Sequence, residues 1–414
     1  MKKLNYWFQR VKNIFHLINA FLANLYYGFP SKKIKVIGVT GTDGKTTTTE
    51  LIAHILKSCG RKVSYISTVS AKIGDKEYDT GFHVTTPNPW FIQNLIKESV
   101  KKKDDYFILE TTSHALDQYR VWGVSYKIGV LTNVTYEHLD YHLTYENYLK
   151  AKVKLLKNAD NSFFNKEDNS YIYIKKILKK KKKTIEYKKL PVIIKNFPKL
   201  EKFNQENFSA AYLVCLSLGL KSKDILKSMK TFNFPKGRLD LVYNKEFKII
   251  IDFAHTPNAF LKLLSEIRKK YLKKNGRLIH VFGAAGLRDN KKRSLMGEVA
   301  GRYDDVIILT EEDYRTENLY KIFEKIEKGL LKQNFIKKKF NLIKQNDKKV
   351  YTIFEKRQEA INFAIKIAKE NDVVILTGKS HEKSLCRGKI EYPWDEYKAV
   401  EIAVKKKKEY KLGL

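Results

Sequence analysis

Residues 40–47 read TGTDGKTT, and no other stretch of the chain constrains its fold so tightly. An apolar run (Ile34, Val36, Ile37, Val39) leads into the loop, and a helical pattern (Leu51, Ile52, Ile55, Leu56) leads out of it. This order predicts a strand, a phosphate-binding loop and a helix. Gly41 and Gly44 let the backbone curl so that its N–H groups, with those of Thr42, Asp43 and Thr47, face an anion. Lys45 supplies a point charge for terminal phosphates, and Thr46 places a hydroxyl where Mg²⁺ would sit. Val39 stands where the general pattern GxxxxGK[ST] has its first glycine.

Further apolar runs at 106–110, 128–131, 249–252, 278–282, 306–309 and 373–376 alternate with helical patterns. Such alternation predicts an α/β architecture with mainly parallel sheets. Turn residues at Phe234, Pro235 and Gly237 mark a boundary. The expected divisions are an amphipathic helix at 1–33, a central nucleotide-binding domain at 34–236 and a smaller Rossmann-like α/β domain at 237–414. The Lys-rich stretch near 175–189 is expected to hold a surface loop and short strands.

Two polar clusters follow strands. In the first, Glu110 closes the apolar run at 106–110 and precedes Thr112 and Arg120. A carboxylate at the end of a parallel strand points into the crevice where such sheets bind ligands. In the second, Thr132, Asn133, Glu137, His138, Asp140 and His142 follow the run at 128–131, and Lys152 lies beyond in a helical pattern. Taken singly, these residues have plainer explanations: a helix cap, a turn histidine, a surface lysine.

Together, in this order, they resemble the Mur ligases, the ATP-dependent amide-forming synthetases of cell-wall peptide assembly and folate polyglutamylation. The likeness runs from about residue 30 to 400 and is nearest to the tripeptide-forming members. It implies a central P-loop ATPase-type domain with a smaller α/β C-terminal domain. It also implies two Mg²⁺ sites, with Thr46 at the first. Glu110, His138 and a carbamylated Lys152 would hold the second, with Lys45, His138 and Lys152 in catalytic roles. By the same resemblance Thr85, Thr86, Thr112 and Arg120 contact a muramoyl peptide. Asn207, Arg238, Asp252 and His255 serve the nucleotide, and Arg288, Arg315, Gly378 and Glu382 serve the incoming amino acid.

The implied reaction adds an amino acid, meso-diaminopimelate by this reading, to a muramoyl-L-Ala-D-Glu acceptor through an acyl phosphate. The alternatives are another amino-acid ligase, such as one extending folates or another polyamide, and a nucleotide-binding scaffold at a membrane surface. Departures accompany the likeness. No counterpart of the family's N-terminal uridine-nucleotide domain is expected from this sequence. The diaminopimelate selector, Asp-Asn-Pro-Arg in the family, reads Glu312, Asp313, Tyr314 and Arg315. Ser380 replaces a glycine.

The formal net charge is +36. The lysines are spread along the whole chain, and the runs at 179–183 and 405–408 lack interleaved aromatics. Solvated faces are expected rather than a specific nucleic-acid site. Cys59, Cys215 and Cys386 form no CxxC pair, so no zinc ribbon or disulfide framework is suggested, and a reducing cytoplasm fits. A monomer is expected.

In the first thirty residues Leu4, Trp7, Phe8, Val11, Ile14, Phe15, Ile18, Phe21, Leu22 and Leu25 recur at helical spacing. Lys2, Lys3, Arg10 and Lys12 lie near the start, and Pro30 is expected to end the helix. Docking on the protein's own surface and lying on the inner membrane face are both open readings.

Overall fold

The computed structural model describes residues 2–78, 85–181, 183–344 and 346–412. The side chains of Lys2, Lys3, Leu4, Trp7 and Phe8, and the whole of Lys182, lie outside the described residues. The chain forms two units, Met1–Pro235 and Lys236–Leu414.

The first unit opens with helix α1 (Lys2–Tyr27). It ends before Pro30, because Gly28 and Phe29 turn into the left-handed region at φ 71° and 49°. The Phe29 N–H closes the turn on Asn24 O at 2.9 Å, a left-handed C-terminal cap. The sheet that follows contains β1 (Lys35–Thr40), β2 (Val63–Ile66), β3 (Ala71–Ile73), β4 (Lys76–Tyr78), β5 (Tyr106–Glu110), β6 (Tyr126–Leu131), β7 (Ala159–Asn165) and β8 (Thr184–Tyr187). Their order is β4-β3-β2-β5-β1-β6-β7-β8. Only the β2–β3 and β3–β4 pairs are antiparallel. The Lys-rich stretch contributes β8 and the end of helix Tyr171–Ile177.

Both faces of this sheet are covered, so its central strands are apolar throughout rather than alternating with polar residues. Ile37, Val39 and Ile108 face a core that includes Leu51, Ile55 and Phe208. Their sequence neighbours Val36, Phe107 and Leu109 face the opposite core with Ile92, Leu95 and Leu155. The period of two along each strand thus feeds two separate cores.

The second unit has β9 (Asp240–Asn244), β10 (Lys248–Asp252), β11 (Leu278–Phe282), β12 (Val306–Leu309), β13 (Ile336–Lys337), β14 (Val350–Ile353) and β15 (Val373–Thr377). The order is β13-β14-β12-β11-β15-β10-β9, parallel except for β9. A hairpin, β16 (Ser384–Arg387) and β17 (Ile390–Pro393), stands apart from the sheet. Every strand expected from the apolar runs is present, and the class is α/β with mainly parallel sheets.

Candidate active site

In the first unit the polar residues gather beyond the carboxyl ends of β1, β2, β5 and β6. Val39 explains the loop's spelling: it still belongs to β1, is fully buried in the core, and accepts from Thr111 N at 2.8 Å. Helix α2 (Lys45–Ser58) begins straight after Gly44. Gly44 has φ 81°, and a Cβ there would come within 2.2 Å of Asn207 Oδ1. A Cβ on Gly41 would sit 1.8 Å from Thr132 Oγ1. The loop is held from β6: Asn133 O accepts from Thr42 N at 2.9 Å, and Asn133 Oδ1 from Asp43 N at 2.9 Å. Thr47 is buried on α2, and Thr48 Oγ1 lies 3.4 Å from Asn207 Oδ1. Asn207, one of the residues expected to serve the nucleotide, therefore packs directly against the phosphate loop.

Lys45 Nζ donates to Gly41 O at 3.1 Å and Thr42 O at 2.8 Å. Lys152, on helix Tyr145–Asn158, is fully buried and donates to the same Gly41 O at 2.5 Å. Burial holds its amine well below the usual lysine range, and the charge of Lys45 lowers it further. Its Nζ lies 4.5 Å over the Tyr148 ring, and Tyr148 OH lies 3.0 Å from Thr42 Oγ1.

Glu110 is buried at the end of β5. Its Oε1 accepts from the hydroxyls of Thr46 at 3.1 Å and Thr68 at 2.8 Å, and its Oε2 accepts from Thr68 N at 2.7 Å. From there a polar chain continues. Thr68 Oγ1 lies 3.2 Å from Thr85 Oγ1. Thr86 Oγ1 donates to Glu110 O at 3.1 Å and accepts from Thr112 N at 2.9 Å. Arg120 Nη1 donates to Thr86 O at 3.0 Å. The loop threonine and the residues expected at the acceptor are thereby joined in one hydrogen-bonded line.

His138 takes a left-handed conformation, φ 55°, at the start of helix Leu139–His142. Its ring lies 4.7 Å from that of His114 and 6.0 Å from that of Tyr148, and Nε2 is 3.6 Å from Glu137 Oε2. Tyr148 thus neighbours both His138 and Lys152. His142 is buried with Nε2 3.1 Å from Ser113 Oγ, and burial lowers its pKa to about 3.

Among the described residues no three His, Cys, Asp or Glu side chains form a metal-binding group. The donors for hard cations are instead mixed. The Thr46 hydroxyl and Glu110 carboxylate meet directly and suit Mg²⁺, which takes oxygen ligands. An unmodified Lys152 amine is no ligand for such an ion, whereas a carbamate on it offers two oxygens.

In the second unit Asp252 ends β10, and its two oxygens accept from Leu239 N and Ala254 N at 2.7 Å each. Burial raises its pKa, opposed by Arg238. The Arg238 guanidinium lies 4.7 Å over the Phe253 ring, and His255 Nδ1 is 2.8 Å from Phe253 O. Arg315, φ 53°, donates to Gly286 O at 3.1 Å, and Arg288 is exposed on its loop. Lys379 Nζ bridges Asp313 Oδ1 at 2.8 Å and Glu382 Oε2 at 2.6 Å. Ser380 adopts the left-handed conformation, φ 49°, and donates to Gly237 O at 3.1 Å. The glycine replacement therefore leaves a backbone shape that glycine favours, steadied by the hydroxyl.

Sequence reasoning passed over Thr68 and Tyr148, and named Glu312 only as part of the selector. Thr68 follows β2 in a stretch with no motif, and only the sheet order places it beside Glu110. Tyr148 looked like a helix-face apolar residue. Glu312 is buried with Oε2 unpartnered and packs where Gly378, φ 99°, has no side chain: a Cβ there would come within 2.5 Å of that oxygen.

Residues 39–214 match the Mur ligase middle domain, and residues 237–380 match the Mur ligase glutamate ligase domain. A UDP-N-acetylmuramoyl-L-alanyl-D-glutamate–2,6-diaminopimelate ligase of Clostridium botulinum is 35% identical over 417 residues, covering 93% of this chain and 81% of its own. A solved diaminopimelate ligase of the same description superposes with a TM-score of 0.57 at 25% identity, covering 91% of this chain and 79% of that one. Escherichia coli FolC, solved with ADP, shares the fold at TM-score 0.67 and 16% identity, covering 95% and 94%. With both domains matched in order and a third of its residues shared along nine-tenths of its length, the chain belongs to the Mur ligase family of ATP-dependent, amide-forming ligases.

Proposed function

We propose that the protein adds an amino acid, meso-diaminopimelate, to a muramoyl-L-Ala-D-Glu acceptor in peptidoglycan precursor synthesis. The observation that carries this reading is the hydrogen-bonded network centred on Glu110, whose carboxylate joins Thr46 and, through Thr68, Thr85, and whose carbonyl joins Thr86 and, through it, Arg120. It joins the glycine-rich loop after β1 to a buried carboxylate and an arginine beyond the carboxyl ends of the central strands, which supports a reading of phosphoryl transfer from ATP to a carboxylate.

A free carboxylate does not form an amide unaided. Transfer of the γ-phosphoryl group gives an acyl phosphate and ADP. The amine then attacks the acyl carbon, a proton is lost from nitrogen, and phosphate leaves. Such transfer needs positioning and neutralisation of charge. The loop N–H groups and Lys45 serve the phosphates, and Arg120, Thr85, Thr86 and Thr112 orient the acceptor. By the resemblance, Asn207, Arg238, Asp252 and His255 serve the nucleotide. Arg288, Arg315, Gly378 and Glu382 serve the amino acid. Thr46 and Glu110 would hold one Mg²⁺, and Glu110, His138 and Lys152 a second; bound there, the ions would neutralise phosphate charge. Lys152 joins this set once its neutral amine takes up CO₂, forming a carbamate and releasing one proton.

The functional segments on this reading are the helix at 1–33, the ATP-binding domain at 34–236 and the C-terminal domain at 237–414. A cytoplasmic monomer is the expected form. No described helix is long and apolar enough to cross a membrane. Peripheral contact through residues 1–30 is argued separately below.

The test is product analysis by mass spectrometry with ATP, a panel of amino acids, and muramoyl dipeptide with and without its UDP group. Release of ADP and phosphate that depends on both acceptor and amino acid supports the reading. ATP consumption indifferent to both overturns it. Glutamate addition to a folate in the same screen would transfer the assignment to the branch whose fold FolC shares.

A further inference from the structure

Helix α1 is turned inside out. Its inward face carries small and amide side chains: Asn13, Ala20, Ala23 and Asn24 are all buried. Its outward face carries Ile14, Phe15, Ile18, Phe21, Leu22 and Leu25, exposed by 45–68%. The positions 14, 18, 21 and 25 repeat at helical spacing, so these side chains form one continuous stripe. A helix held only by burial of its large apolar residues would present the opposite face.

Polar contacts fix this orientation. Arg10 Nη1 pairs with Asp117 Oδ1 at 3.1 Å, and Asn13 Nδ2 donates to Asp117 O at 3.1 Å. Asn24 Nδ2 donates to Trp122 O at 2.7 Å, and Trp90 Nε1 donates to Asn19 Oδ1 at 2.8 Å. Gly123 permits the approach, since a Cβ there would lie 2.6 Å from the Asn24 side chain. The stripe extends onto the body of the unit through aromatic rings. Phe21 lies 5.7 Å from Trp122, and Tyr26 lies 5.6 Å from Trp90, with both indoles 36% exposed.

Charge identifies what such a face fits. Residues 1–42 contain Lys2, Lys3, Arg10, Lys12, Lys32, Lys33 and Lys35, and no Asp or Glu before Asp43. An apolar stripe on a segment whose only formal charges are cationic, with tryptophan and tyrosine at its margin, matches the boundary between headgroups and acyl chains of an anionic bilayer. We propose that α1 lies in the plane of an anionic membrane surface and attaches the enzyme there peripherally. The proposal stands independently of which amino acid or acceptor the ligase uses.

The experiment is flotation of the full chain with vesicles of phosphatidylglycerol and phosphatidylcholine in equal parts, against pure phosphatidylcholine. Phe15→Glu/Leu22→Glu serves as the variant, since both residues are exposed and its circular dichroism and Tm are expected to match the parent's. The expected result is flotation with the anionic vesicles alone, weakened by salt, and reduced roughly tenfold or more in the variant. ADP release with soluble substrates, run in parallel, is expected to be equal in both proteins, and it reports on the ligase reading separately. Failure of the parent to float with anionic vesicles overturns the proposal. So does a concentration-dependent dimer in light scattering that the double variant abolishes, which would give the stripe to a second copy.

Discussion

The amines of Lys45 and Lys152 converge on one acceptor, the carbonyl oxygen of Gly41, at 3.1 and 2.5 Å. Two ammonium groups at one oxygen repel each other, and the fully buried one is the costlier to charge. Burial and the neighbouring Lys45 therefore disfavour the charged form of Lys152, and a neutral amine is the form that reacts with CO₂. Lys152→Ala is expected to lose activity by at least about 100-fold, with no recovery in high bicarbonate. In the parent, lowering the pH protonates Lys152, so activity and a ¹³C carbamate signal from labelled bicarbonate should fall together. Full activity in the alanine variant would exclude the carbamate role.

Glu110 accepts three hydrogen bonds while sitting beside the loop threonine. Glu110→Gln keeps the shape but replaces one acceptor oxygen with a donor that faces other donors. The expected outcome is a fall in kcat of roughly 100-fold or more, with a higher Mg²⁺ concentration needed for half-maximal ADP release. An unchanged Mg²⁺ titration would remove Glu110 from the metal set.

Gly44→Ala places a Cβ at φ 81° and 2.2 Å from Asn207 Oδ1. The strain and the clash together are expected to cost about 1–3 kcal/mol in urea unfolding of the first unit and to weaken ATP binding in calorimetry. Parent-like stability would mean the loop relaxes freely.

Arg288 and Arg293 separate a substrate role from a structural one. Arg293 is fully buried and paired with Glu317 at 2.6 and 2.7 Å, which holds that carboxyl down at about 2. Arg293→Ala strands the partner charge and should destabilise the second unit by about 3 kcal/mol. Arg288→Ala, on an exposed loop, should leave Tm unchanged and raise KM for the amino acid. Equal effects of both on Tm would contradict this division.

His142 and His381 both have pKa values lowered from 6.5 to about 3, chiefly by burial. The unfolded chain takes up these protons below about pH 6.5, whereas the folded units do so only near 3. Stability should therefore be fully present above 6.5 and decline as the pH falls, by about 2 kcal/mol per histidine at pH 5. Urea midpoints across pH 5–8 measure this, and His142→Gln should flatten the slope for the first unit alone.

Much of this protein was legible from residue order. The strands at β1, β5, β6, β10, β11, β12 and β15 follow from apolar runs between turn residues, and the phosphate loop from glycine spacing. Those signals are local: periodicity and backbone freedom act over a few residues. The end of α1 was misread by two residues, because Gly28 supplies the left-handed turn before Pro30 is reached.

What the sequence by itself determined was thus the kind of elements, their order, and the chemistry available at strand ends. Tertiary structure alone decided which distant groups meet. Thr68 reaches Glu110 because β2 lies beside β5, across 42 residues of chain. The Lys152 amine is pushed well below the usual lysine range because helix Tyr145–Asn158, over a hundred residues downstream of the loop, buries it against Gly41. The outward stripe of α1 is likewise a tertiary result. Helical spacing reveals an apolar face, but the contacts of Asp117, Trp122 and Trp90 decide which face is turned to the protein.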